Sequence, residues 1–148
     1  MRALIQRVSS ASVFIDSLKH SSINSGLVLL IGIQTGDTKE DADYLLNKIL
    51  NMRIFSDKEG KMNLSVLDIA GEMLIVSQFT LYASTKKGNR PSFIKSARPE
   101  EAIPLYEYFV KTCSNSMKVK TGKFGADMQV SLINNGPVTV WLDSRNRE

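Results

Sequence analysis

The residues best able to do chemistry in this 148-residue chain sit at the end of one apolar run. Met73-Leu74-Ile75-Val76 is apolar, Ser77-Gln78 breaks it, Phe79 is apolar again and Thr80 is polar. Hydroxyls, a carboxamide and backbone N–H groups at a strand end can point into a pocket as the donors of an oxyanion hole. The same pattern also describes an ordinary strand end with solvated hydroxyls. A second unusual stretch is Asn134-Asn135-Gly136-Pro137-Val138-Thr139. Its Gly136-Pro137 reads either as a hairpin turn or as rigid, side-chain-free backbone used as a template. The bond before Pro137 is of the X-Pro kind, for which the cis form costs only about 0.5–1 kcal/mol.

Other chemistries lose their support by elimination. The single histidine, His20, lies in a polar stretch without a neighbouring acid, and no G-x-S-x-G is present, which removes a Ser-His-Asp machine. One His and one Cys cannot supply the usual zinc ligand set. Neither G-x-x-x-x-G-K-[ST] nor G-x-G-x-x-G occurs, against nucleotide hydrolysis and dinucleotide redox chemistry. Cys113 falls on the apolar stripe of a helix, where an inert buried thiol is expected. The carboxylates look scattered over surface and caps. Any reaction run here must need little acid–base power from the protein.

The elements that must position these residues follow from periodicity. Residues 4–8 and 12–15 alternate as half-buried strands, and 27–33 is continuously apolar, a strand buried on both faces. Asp37 with Glu40 resembles a capped helix start, followed by Ala42, Leu45, Leu46, Ile49 and Leu50 at helical spacing. Asp57-Lys58-Glu59-Gly60 is a hairpin turn, and 73–79 is a second buried strand. Pro99-Glu100-Glu101 opens a second helix with Ala102, Tyr106, Phe109, Val110, Cys113 and Met117 as its stripe. Residues 128–133 and 138–141 read as two strands flanking the Gly-Pro segment, and the polar tail 144–148 should fray. The expected architecture is α/β: antiparallel-rich sheets, barrel- or sandwich-like, with two main helices packed on one face of a single domain, 1–148.

Composition sets the surroundings. Apolar residues make up 43% and charged ones 23%, the balance of a water-soluble domain, and no apolar run reaches the roughly 20 residues of a membrane helix. The N-terminus enters strand-like sequence directly, without the apolar centre of a signal peptide, and one cysteine suits a reducing compartment, so a cytoplasmic protein is expected. Net charge is +4, but residues 84–98 hold Lys86, Lys87, Arg90, Lys95 and Arg98 with no acid. Such a run is either a solvated loop or a set of phosphate contacts along RNA.

Ser77-Gln78-Phe79-Thr80-Leu81 resembles the SQFTL motif of the D-aminoacyl-tRNA deacylases, and residues 134–139 resemble their NxGPVT motif. Gln6-Arg7-Val8, Gly60-Lys61-Met62-Asn63, Lys87-Gly88-Asn89-Arg90-Pro91-Ser92-Phe93 and Thr121-Gly122-Lys123-Phe124-Gly125-Ala126 extend the resemblance in order along the chain. The resemblance implies an editing hydrolase that cleaves D-aminoacyl-tRNA, and glycyl-tRNA, while rejecting the L-amino acid, without metal or other cofactor. It implies a homodimer with its active sites at the interface, a cis Gly136-Pro137 bond, and entry of that segment into the partner's pocket. By similarity Ser77, Gln78 and Thr80 are the catalytic set beside the ester, while Phe79, Ala102, Met128, Gly136 and Pro137 bind substrate. Lys86, Lys87 and Arg90 would meet tRNA. Two mechanisms compete: attack by Thr80 Oγ, or activation of water by the terminal adenosine's 2′-OH. The second is expected, because no base adjoins Thr80.

Overall fold

The computed structural model describes residues 1–147. Its spine is β1 (Arg2–Ile15), which pairs antiparallel with β2 (Leu18–Ile23), β3 (Gly26–Gly32) and β8 (Gln129–Asp143). From β3 the sheet continues in parallel to β6 (Glu72–Ser77) and then β7 (Lys118–Thr121). The path β2-β1-β3-β6-β7 curls until its two ends meet: Ser21 Oγ on β2 donates to the Thr121 carbonyl on β7 at 2.8 Å. The result is a nearly closed, barrel-like sheet with a small hairpin of β4 (Phe55–Ser56) and β5 (Met62–Leu64) beside it. Helices α1 (Lys39–Asn51) and α2 (Pro99–Ser114) complete the α/β architecture expected from the sequence.

Alternation along the strands builds two cores. Ala3, Ile5, Leu27, Leu29, Ile31, Met73 and Ile75 pack with the buried faces of both helices. Val8, Ala11, Val13, Val28, Leu74 and Val76 form a second cluster. β3 and β6 feed both clusters, which is why they read as unbroken apolar runs. In β1 the buried positions are odd before Val8 and odd again after it. The pairing with β8 slips on either side of Val8, and an extra residue there redirects the later side chains.

Several boundaries differ from the sequence reading. Residues 2–15 form one strand, not two, because polar Ser9 and Ser10 lie in the irregular stretch without breaking it. Likewise 129–143 is one strand, and Gly136-Pro137 is no hairpin turn: Val8 pairs with Asn134 and Gln6 with Thr139, so the intervening residues are accommodated as a bulge. β7 is a strand for which the sequence reading made no provision, and its alternating Lys118 and Lys120 face solvent from a sheet edge. α1 starts at Thr38, in a capping box with Asp41, not at Asp37. Asp37 is buried instead, 2.8 Å from the Met1 α-ammonium and 2.9 Å from Arg145. Through these contacts the tail is tied down as far as Arg147, whose guanidinium lies 3.9 Å from the Tyr44 ring centroid, and Ser144 is buried. Of the tail expected to fray, only Glu148 lies outside the described residues.

The hairpin turn at 57–60 is as expected. Asp57 Oδ1 accepts the Glu59 and Lys61 amides at 2.9 Å each, and Gly60 takes φ +79°. In α2, Pro99 opens the first turn, Glu100 and Glu101 follow, and Ala102, Tyr106, Phe109 and Cys113 are buried. No helix among the described residues is long and apolar enough to cross a membrane.

Candidate active site

A cavity of about 300 Å³ opens where the parallel strands β3 and β6 end. Carboxyl ends of parallel strands leave the last donors and acceptors of the ladder facing a crevice, a common ligand site in α/β sheets. Ser77, the last residue of β6, still pairs with Ile31, and the Gln78 amide donates to the Ile31 carbonyl at 2.7 Å. The chain then tightens into a 3-10 turn, Phe79–Tyr82. Ser77, Gln78 and Phe79 therefore line the cavity, with Phe79 58% exposed.

Thr80 is not among the lining residues; it is exposed on the turn. It joins the site through Gln78, whose Nε2 donates to Thr80 Oγ1. Arg2 holds the other end of the turn, donating to the Leu81 carbonyl at 2.9 Å while its guanidinium stacks 4.4 Å from the Tyr82 ring centroid. Burial drives the Tyr82 phenol well above its usual range, so it stays protonated.

The opposite wall comes from α2 and from the segment joining β7 to β8. Ala102, 5% exposed, presents only a methyl group to the cavity. Met128 lines it from the far side, its sulfur accepting the Lys123 amide at 3.4 Å. A Cβ on Gly122 would stand 2.5 Å from that sulfur, so glycine is what lets Met128 seat there. Phe124 completes the wall and packs edge-on against Tyr106, with ring centroids 5.7 Å apart.

The Gly136-Pro137 bond is cis. Neither residue lines the cavity of its own subunit. Two side chains fix the segment: Asn134 accepts the Val138 amide at 2.8 Å and donates to Thr139 Oγ1 at 3.0 Å. Arg7, 8% exposed, donates through Nε to the Asn135 carbonyl at 3.0 Å and through Nη1 to the Ile54 carbonyl. A charge buried this deeply is tolerated only with such partners.

Of the residues expected at the site, the structure brings Ser77, Gln78, Phe79, Ala102 and Met128 to one cavity. It leaves Thr80, expected beside the ester with Ser77 and Gln78, outside the lining, and holds Gly136 and Pro137 elsewhere on the subunit. Lys86, Lys87 and Arg90 are exposed on the loop between the 3-10 turn and α2. Arg7 was missed as a positioning group; an arginine inside an alternating strand was its only signal. Asp127, read among scattered carboxylates, lines the cavity as well. Cys113 is fully buried with its thiol pushed up to about 12 by desolvation, and His20 is exposed on β2, as expected of both.

Against known proteins, residues 4–143 match the family model described as D-Tyr-tRNA(Tyr) deacylase. The chain is 59% identical over its full length, and the full length of the relative, to the D-aminoacyl-tRNA deacylase of Akkermansia muciniphila. The identity to the D-aminoacyl-tRNA deacylase of Cytophaga hutchinsonii is also 59%, with both chains covered throughout. Among solved structures, one titled c-Myc DNA Unwinding Element Binding Protein superposes with a TM-score of 0.92 at 41% identity, covering 97% of this chain and 98% of that one. A probable eukaryotic D-amino acid tRNA deacylase shares the fold at TM-score 0.80 and 18% identity, covering 95% and 97% of the two chains. With nearly its whole length inside the family model and such identities end to end, this chain belongs to the D-Tyr-tRNA(Tyr) deacylase family of hydrolases.

Proposed function

We propose that the protein is a cytoplasmic editing enzyme that hydrolyses the ester of D-aminoacyl-tRNA, releasing the free D-amino acid, and acts on glycyl-tRNA as well. The observation that carries this reading is the cavity at the end of β6, which gathers Ser77, Gln78, Phe79, Ala102 and Met128 in a chain 59% identical to deacylases. An aminoacyl ester is already activated, so its hydrolysis needs orientation and charge stabilisation more than a strong base. The Ser77 hydroxyl and the Gln78 carboxamide, where β6 becomes a 3-10 turn, are donors of that kind. Thr80, turned toward the Gln78 carboxamide, positions it, and the 2′-OH of the terminal adenosine activates water.

Selectivity would come from a second subunit. Gly136 and Pro137, outside their own cavity, enter the partner's and offer carbonyl oxygens to the substrate α-ammonium. They leave no space for an L side chain, a clash built against the wrong ligand. Glycine, lacking a side chain, passes this filter. Ile133 at 62% and Trp141 at 46% exposure on β8 give such a homodimer an apolar face. Lys86, Lys87 and Arg90 meet the acceptor end through phosphates, without reading sequence.

A second reading, a nucleic-acid-binding module without turnover, draws on the basic loop and on the DNA-binding title of one structural relative. Incubating catalytic amounts of protein with D-tyrosyl-tRNA separates the two. Release of many equivalents of D-tyrosine is expected; salt-sensitive binding with no release would favour the module.

A further inference from the structure

Phe79 and Phe93 stand together at the cavity mouth, ring centroids 5.0 Å apart and edge to face at 73°. Phe79 lines the cavity and is 58% exposed, and Ile94, next to Phe93, is 89% exposed. Phe93 is half-buried, but the exposed Phe79 and Ile94 beside it, next to a run of five basic residues with no acid, are not a core. The loop is also held in place. Ser84 and Ser92 exchange amide–carbonyl hydrogen bonds at 2.8 and 2.9 Å, closing off the basic tip of residues 85–91. Beyond Phe93, the Thr35 amide donates to the Lys95 carbonyl at 3.2 Å, the Ala97 amide to the Ile33 carbonyl at 2.9 Å, and Ser96 Oγ to the Phe79 carbonyl at 2.9 Å. Phe93 is therefore pinned between two anchored points, touching cavity-lining Phe79 and following directly on the loop tip that carries Lys86, Lys87 and Arg90.

We propose that the Phe79–Phe93 pair is a stacking platform for the unpaired nucleotides just 5′ of the ester-bearing nucleoside, with Phe93 its main contact. This rests on the deacylase reading and extends it to a part of the substrate beyond the cavity. Single-stranded RNA is held by aromatic faces that stack its bases and by cations that follow its backbone, and both kinds of group are adjacent here. Stacking accepts any base, which suits an enzyme that meets many tRNAs with a common unpaired end. The absence of acid from residues 84–98 argues for a polyanion over a protein partner.

The test compares Phe93→Ala and Phe93→Trp with wild type on two substrates, D-tyrosyl-tRNA and 3′-O-D-tyrosyl-adenosine, which lacks everything upstream. Phe93→Ala should lower kcat/KM on the tRNA about tenfold more than on the nucleoside, and Phe93→Trp should restore it. Equal losses on both substrates would overturn the proposal, since Phe93 would then act only through the cavity. Undiminished activity on the tRNA would overturn it too. Loss of the dimer on sedimentation would assign the face to the second subunit and also overturn it. Affinity for uncharged tRNA decides independently of turnover: weaker binding by Phe93→Ala supports the platform and equal binding refutes it. If wild type cleaves neither substrate, the deacylase reading falls and this binding comparison still stands.

Discussion

At Gly136 the backbone runs at φ +133°, and a Cβ there would stand 2.7 Å from Val138 Cγ2 and 2.9 Å from Arg7 Nη2. Few L residues tolerate that conformation, and strain of this kind costs about 1–3 kcal/mol. Gly136→Ala should therefore lower thermal stability modestly and cut deacylation much more, by about a hundredfold if the segment closes the partner's pocket. Parallel melting curves and initial rates check this; a fall in stability with unchanged rate would detach the segment from catalysis. Thr80 carries a different question. Its Oγ1 accepts from Gln78 Nε2, and among the described residues the cavity lining holds no histidine or lysine to take its proton, Asp127 being its one carboxylate. Thr80→Ala should consequently retain most deacylase activity, whereas wild type should fail on tRNA ending in 2′-deoxyadenosine. The opposite pair of results would make Thr80 the nucleophile.

The elements were legible in proportion to how local their signals are. Helix α2 was readable because Pro99, the acidic first turn and the apolar stripe all lie within its own sequence. The cavity residues of β6 were readable because a buried strand ends abruptly at Ser77. β8 was misjudged, because a glycine and a proline look like a turn until β1 is seen pairing on both sides of them. Arg7's role was invisible for the same reason, its acceptors being Asn135 and Ile54, far along the chain. The parallel β6–β7 edge makes a prediction at this scale. Glu72 lies opposite Lys118 in that pairing, and the Lys118 hydrogen bond, aided by the Asn24 amide, holds its carboxyl below the usual 4.5. Its stabilising effect is therefore complete above 4.5 and lost as pH falls through the lowered value. Unfolding midpoints measured from pH 7 downward should be flat to about pH 5 and then decline, and Glu72→Gln should decline less steeply over that interval. An identical acid limb in the variant would show that the edge does not depend on this pair.

For the whole molecule, the central question is whether one subunit is a complete enzyme. Its cavity holds the donors and the apolar lining, while Gly136 and Pro137 lie outside it and β8 exposes Ile133 and Trp141. A charge placed on that face, as in Ile133→Glu, should yield a folded monomer on sedimentation that has lost nearly all deacylase activity, because no partner completes the pocket. A fully active monomer would confine the filter to a single subunit. The most direct test of the account is the rate of amino-acid release from D-tyrosyl-tRNA and L-tyrosyl-tRNA, measured side by side at the same enzyme concentration. The account predicts rapid release of the D residue while the L ester decays no faster than in buffer; release of both at similar rates would contradict it.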